Sequence, residues 1–368
     1  MNGGRVLRFP PRAMPPEEIE NSADRILSMP REARVEGADA VRLEQPDLLL
    51  SVCARLHDRL DSEPAEVRDD AEHLYEFLRV PARPIGLFDE REYFLGELAL
   101  IAGTACRHLS RRDEARLWFD RAEGPFLHTV SATADLSRLT YQRLALRAEE
   151  RQVDAVLEMA TPLRESFEKL SMPVDALKVG FLEGVALTEG GRLQEAAELY
   201  RRIGAQAESL GAERLAAAAL GNLTHLYGMQ GDAARAIEAS RQAIPVLKRL
   251  DDRIALAKVQ WGLAGMLRET GQVAAAIESY RAAQEQFEQI GMRADVAALH
   301  LVIADLLLEL GEEAAARQSV LEALPVIQDL QMVPEGMAAL QLLRQSLREE
   351  RIDRPALREL HGFFPDSP

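Results

Sequence analysis

The segment NLTHLYGMQGDAARAIEASR, beginning at Asn222, returns in outline as GLAGMLRETGQVAAAIESYR from Gly262 and as VIADLLLELGEEAAARQSVL from Val302. Glycines at 231, 271 and 311 are each followed five residues later by an alanine, at 236, 276 and 316. Carried back towards the N-terminus, the alanine ladder reads Ala115, Ala155, Ala196, Ala236, Ala276 and Ala316, in steps of 40, 41, 40, 40 and 40 residues. This register constrains the fold more than any local motif. A unit too short to bury its own apolar face is stable only when stacked on copies of itself.

Other columns keep the same register. Four positions after each alanine stand Phe119, Met159, Tyr200, Ser240, Tyr280 and Val320, and twelve before stand Gly103, Arg143, Gly184, Thr224, Ala264 and Ala304. Small residues at fixed points are a mechanical requirement, because two helices approach to about 8 Å only where side chains are short. An overlarge residue there costs about 1–3 kcal/mol. Arg143 and Ser240 break their columns, which predicts looser packing in the second and fourth units. Alanine, leucine, arginine and glutamate dominate the composition, and these residues lose little freedom in a helix.

The small–(x11)–Ala–(x3)–aromatic spacing, with Gly-Asp or Gly-Gln between the two helices of a unit, resembles the tetratricopeptide repeat (TPR). The period here is longer than the family's usual 34 residues or so, by about one helical turn in one or both helices. It is similar to the 40-residue-period variant found in uncharacterised bacterial TPR proteins. The resemblance is strongest over 173–330 and weaker over 92–171. It implies an all-α fold, a right-handed superhelical array of antiparallel helix pairs (a TPR-like α-solenoid). The expected organisation is a flexible tail over 1–15, an N-terminal helical region with one degenerate pair over 16–90, six units over 91–330, and a C-terminal capping helix and tail over 331–368. The last strong helical pattern, PEGMAALQLLRQSLREE, has no following partner in the repeat and carries Arg344, Arg348 and Arg351, as a solvated cap requires. Residues 353–361 add a short final helix. Pro245 and Pro325 fall inside second helices, and a kink or a fresh helical turn is expected at each.

The resemblance also assigns faces. In TPR proteins the first helix of each pair lines a concave wall. Carried onto this sequence, that wall holds Glu97, Arg107 and His108, then Tyr141, Lys178, Phe181, Asn222 and His225, and further on Lys258, Trp261, Arg268, Asp305 and Glu309. The residues expected to bind are Tyr141, Lys178, Phe181, Asn222, His225, Lys258, Trp261 and Arg268. An aromatic flanked by cations makes a plausible anchor, and an asparagine can hold both an N–H and a C=O of an extended chain. The alternative places Trp261 in the core, Lys258 at a solvated helix end and Asn222 as a spacer.

Composition removes other functions. The formal charge of −16 and the absence of a basic stripe argue against nucleic acid. Only four of the 44 basic residues are lysine, at 169, 178, 248 and 258. No segment approaches the ~20 apolar residues of a membrane span, and no secretory leader is read at the N-terminus, so a cytoplasmic location is expected. Cys53 and Cys106 are far apart and sit on apolar faces, as buried thiols do. Glycine-rich phosphate loops, HExxH, CxxC and GxSxG are all absent from the sequence. The expectation is therefore no enzyme, no metal and no cofactor. The partner expected is a protein or peptide segment, with acidic chemistry suiting the lysines and arginine of the wall. Two functions stay open: a scaffold or adaptor in a bacterial regulatory complex, and a sensor whose superhelix changes shape when a peptide or small ligand binds.

Overall fold

A computed structural model describes residues 16–34, 45–80, 88–329, 334–349 and 351–363. The tail expected over 1–15, the connection running to Pro46 over 35–44 and the break around 81–87 lie outside the described residues. Among the described residues every regular element is an α-helix. Contacts divide the chain into two compact units, with the boundary between Met172 and Pro173.

The first unit contains α1 (Pro16–Ser28), the short α2 (Arg31–Arg34), α3 (Pro46–Asp58), α4 (Pro64–Arg79), α5 (Phe88–His108), α6 (Arg112–Phe126), α7 (Ala132–Glu149) and α8 (Val153–Lys169). Proline opens α1, α3 and α4, where its fixed φ suits the first turn and its missing N–H costs nothing. From α4 to α8 each helix packs on the next. Gly103 on α5 lets α6 close in, since a Cβ there would stand 2.5 Å from the Phe119 ring. Trp118 is buried edge-on against Tyr75, with centroids 5.3 Å apart. At the other broken column, Arg143 reaches back to Asp120 at 2.8 Å and Glu123 at 2.9 Å. A cavity of about 220 Å³ opens beside it, among Arg116, Phe119, Leu146 and Met159. The looser packing read from Arg143 is therefore visible.

The second unit is more regular. Its helices are α9 (Pro173–Glu189), α10 (Leu193–Ser209), α11 (Glu213–Met229), α12 (Ala233–Arg249), α13 (Arg253–Glu269), α14 (Val273–Gln289), α15 (Arg293–Glu309) and α16 (Glu313–Asp329), 17 residues each. Helix pairs stack so that α9 also touches α11, and α11 touches α13. The turns explain the short connections. Gly191, Gly211, Gly231, Gly271, Gly291 and Gly311 all have φ between 70° and 79°, the left-handed cap that ends a helix and satisfies its last carbonyls. Asp232 then caps α12 by accepting from the Arg235 backbone N–H at 3.0 Å, and Asp252 caps α13 in the same way.

The alanines of the ladder in this unit, Ala196, Ala236, Ala276 and Ala316, are fully buried. Ser240 does not loosen the fourth unit as expected. Its hydroxyl, fully buried, donates to the Ala236 carbonyl at 2.9 Å and lies 3.2 Å from Thr224 Oγ1, so the polar group is satisfied inside the hairpin. α12 and α16 run through Pro245 and Pro325 without a break in the helix. Both prolines are exposed, so the carbonyl each one frees lies on the solvent side, where water can satisfy it.

The C-terminal end corrects one reading. α17 (Pro334–Arg348) does have a following partner, α18 (Arg354–His361), which Asp353 caps through the Ala356 N–H. α18 buries Ala356, Leu357 and Leu360 and lies against α17 and α15. Arg344, Arg348 and Arg351 are exposed, as a solvated end requires.

Candidate functional site

The first helices of the second unit approach side by side because small residues face their neighbours. A Cβ on Gly221 would lie 3.3 Å from Val259, one on Gly228 3.2 Å from Met266, and one on Gly262 3.5 Å from Thr224. α11 and α13 thus meet along most of their length, and their remaining faces turn either to second helices or to solvent.

On that surface, Lys178 is exposed and, among the described residues, pairs only with Asp175 one turn away, at 3.0 Å. Such surface pairs contribute about 0–1 kcal/mol and leave the ammonium available. Lys258 is exposed and makes no ion pair among the described residues. His225 is exposed on α11. Phe181 and Asn222 are half-buried and meet at one group, the Tyr200 hydroxyl of α10. That hydroxyl donates to the Phe181 carbonyl at 3.3 Å, the Asn222 side chain lies beside it, and the Phe181 ring stands edge-on to Tyr200 at 5.3 Å. Burial pushes the Tyr200 phenol well up, so it is a neutral hydrogen-bonding post. Gly184 makes room for it: a Cβ there would stand 2.6 Å from the ring. Tyr200 was legible as a packing aromatic, but nothing in the spacing showed its hydroxyl joining two wall residues.

Trp261 is placed differently from its reading as a surface anchor. It is 9% exposed and packs edge-on against Phe287 of α14, with centroids 5.9 Å apart. Phe181 faces its own second helix in the same way. Aromatics in this column fill the seam of their hairpin, because burying a ring there removes more apolar surface than presenting it to solvent. The core placement considered for Trp261 describes its position.

In the first unit, Tyr141 is half-buried on α7. Glu97, assigned to an open wall, is 3% exposed. Arg138 donates to its two oxygens at 2.9 and 2.7 Å, and His57 Nε2 lies 2.7 Å away. Burial favours the neutral acid, but the hydrogen bonds from His57 and Arg138 and the guanidinium charge outweigh it and hold the Glu97 carboxyl at about 2. Arg107 is likewise engaged, by Glu149, and His108 Nδ1 lies 3.2 Å from the Leu60 carbonyl. These side chains hold helices together.

At the far end of the second unit, α18 covers part of the face where Asp305 was expected to be free. Arg354 and Arg358 both bond its carboxylate, the latter at 3.1 Å, and Arg354 also lies 3.6 Å from Glu309. Burial opposes ionisation of Asp305, yet the two guanidiniums keep its carboxyl below the ordinary range. Beside this clamp lies a cavity of about 460 Å³, and Arg268 reaches it from α13. Among the described residues no group of three or more metal-ligating side chains forms, and no helix is long and apolar enough to cross a membrane.

Comparison with known proteins agrees with this architecture. A family model described as soluble NSF attachment protein, SNAP, matches residues 189–322, which lie within the second unit and make up well under half of the chain. No curated protein matches the sequence. A Rap protein complexed with competence and sporulation factor superposes with a TM-score of 0.54 at 14% identity, over 95% of this chain and 99% of that one. Aspartyl phosphate phosphatase F from Bacillus subtilis gives 0.55 at 13%, over 96% and 94%. The apo form of the quorum sensor NprR from B. thuringiensis gives 0.57 at 12%, over 83% and 82%. At such identities the likeness establishes the fold alone: the chain has the all-α, TPR-like architecture of antiparallel helix pairs shared by these structures.

Proposed function

We propose that the chain is a non-enzymatic peptide- or protein-binding regulator, and that the first-helix surface of the second unit is its binding wall. One observation carries the reading. Lys178, Asn222, His225 and Lys258 lie on successive first helices, yet the lysines and His225 stay in solvent and contribute little to the packing beneath them. The half-buried amide of Asn222 lies beside the Tyr200 hydroxyl and carries both a donor and an acceptor to offer a ligand. Lysines beside an amide suit a peptide that carries carboxylates. Trp261 acts from beneath the wall by fixing α13 against α14.

Two of the structures sharing the fold support a regulatory role by their descriptions, one being complexed with a signalling factor and one being a quorum sensor. They favour the second reading, a sensor whose shape responds to its peptide, over a static adaptor. The phosphatase description belongs to a third; in this chain the Glu97 carboxylate is buried and engaged by Arg138 and His57.

A peptide recovered by display selection on the full chain provides the test. Alanine at Asn222 or Lys258 should weaken it about fivefold to tenfold, and wild-type affinity in both variants would remove the wall from consideration. Small-angle scattering with and without that peptide separates the two readings: a change in dimensions favours the sensor, and an unchanged curve favours the adaptor.

A further inference from the structure

We infer that the face of α15 around Asp305 and Glu309 is a docking site for a basic, amphipathic helix of a partner protein, and that α18 is its internal, displaceable occupant. None of the lysines on α9 and α13 takes part, so this site stands apart from the function proposed above.

Asp305 supplies the recognition chemistry. Its carboxylate accepts from Arg354 and from Arg358, the latter at 3.1 Å to each oxygen, and its backbone carbonyl accepts from Arg354 at 3.3 Å. Glu309, one turn further along α15, lies 3.6 Å from Arg354. Carboxylates one turn apart on α15 thus match arginines one turn apart on α18. Charge-assisted bonds to a planar guanidinium are selective in geometry as well as charge. Ala356, Leu357 and Leu360 are buried between these arginines and the neighbouring helices α15 and α17. A competitor must therefore present apolar residues beside its arginines, as a helix laid on a helical surface does.

Exposure, fit and length make α18 exchangeable. The Arg358 side chain is 60% exposed and that of Glu309 51%, and ion pairs that water reaches contribute little to stability. α18 also underfills its seat. A cavity of about 460 Å³ remains beside it, edged by Arg268 of α13 and by Arg358 and His361 of α18. Arg268 makes no ion pair among the described residues, so α18 brings further positive charge to an edge that already holds an unpaired guanidinium. A partner helix with a bulky acidic residue at that point would fill the space and pair Arg268. With eight residues, α18 is too short to stay helical off its seat, so its release leaves Asp305 and Glu309 free together.

Fluorescence anisotropy of a labelled peptide, residues 351–363 of this chain, tests the seat on the full chain. Wild type, with its seat filled, should bind the peptide weakly. Arg354→Glu/Arg358→Glu, whose own α18 is repelled by Asp305 and Glu309, should bind it at least tenfold tighter, and the milder Arg354→Gln/Arg358→Gln should move the same way. Amide exchange over 354–361 should rise in both variants. Adding Asp305→Lys should return binding to the wild-type level or below, and a peptide with both arginines replaced by glutamine should bind at least tenfold weaker. Persisting protection of α18 in both variants, or an opened seat that binds the peptide no better than wild type, would overturn the inference. Dimers of the wild-type chain that Asp305→Lys dissociates would also overturn it, by giving the seat to α18 of a second copy. Failure here leaves the lysine wall standing, and wild-type affinity in the Asn222 and Lys258 variants leaves this seat standing.

Discussion

Glu97 shows what one residue can decide. Its carboxyl titrates near 2 in the folded chain against about 4.3 when unfolded, so its ionised form stabilises the first unit above pH 4.3 or so, and that contribution is lost as pH falls towards 2. The gap corresponds to about 3 kcal/mol. Glu97→Gln should therefore cost about 3 kcal/mol at neutral pH, because Arg138 keeps its charge and loses its partner. The two tryptophans fall one in each unit, so Trp118 fluorescence in a Trp261→Phe background reports this loss as a lower denaturant midpoint. Below about pH 2 the two forms should converge. Gly184→Ala is a second residue-scale prediction. Its new methyl would meet the Tyr200 ring at 2.6 Å, costing about 1–3 kcal/mol and disturbing the hydroxyl that Asn222 and Phe181 share. Spacing in the sequence placed Glu97 and Trp261 on a helix face, but it could not show what the neighbouring helix brings to that face. His57 and Arg138 lie 40 and 41 residues from Glu97, and Phe287 lies on a different helix from Trp261. The small residues were readable because their role is to leave space, which any neighbour requires.

At the scale of elements, the turns were the most legible part of the chain and the C-terminus the least. The glycines that follow α9, α10, α11, α13, α14 and α15 give the left-handed cap, but Ser110, Arg151, Ser171 and Asp251 hold the same conformation, with φ of 50–58°. An L-residue there costs about 1–2 kcal/mol, against about 0.5–1 kcal/mol of extra unfolded-state entropy for glycine. Arg151→Gly and Asp251→Gly should each stabilise the chain by up to about 1 kcal/mol, seen as a higher midpoint in thermal or denaturant unfolding. The expected kinks at Pro245 and Pro325 are not breaks, since composition gives no clue to which side of the helix a proline faces. α18 was read as a short final helix, but its packing onto α15 departs from the repeat, so no column could announce it. Asp305→Asn should loosen that packing. Amide exchange over 354–361 is expected to rise about tenfold while exchange in α13 stays as it was, and unchanged protection in α18 would show that its leucines suffice to hold it.

For the molecule as a whole, repetition explains why fold and function were legible to such different degrees. Stacked hairpins need small and apolar residues at fixed places, and those places reveal the architecture. The exposed face of the first helices carries no such requirement, so its residues are free to differ from unit to unit. The four lysines turn this contrast into a measurement. Lys178 and Lys258 stand on first helices of the second unit, whereas Lys169 and Lys248 stand at the ends of second helices, and all four are exposed. Isothermal titration of one selected peptide against the four single alanine variants should show Lys178→Ala and Lys258→Ala about fivefold to tenfold weaker, with Lys169→Ala and Lys248→Ala within about twofold of wild type. Equal affinity across all four, or losses confined to Lys169 and Lys248, would contradict the assignment of binding to the first-helix wall.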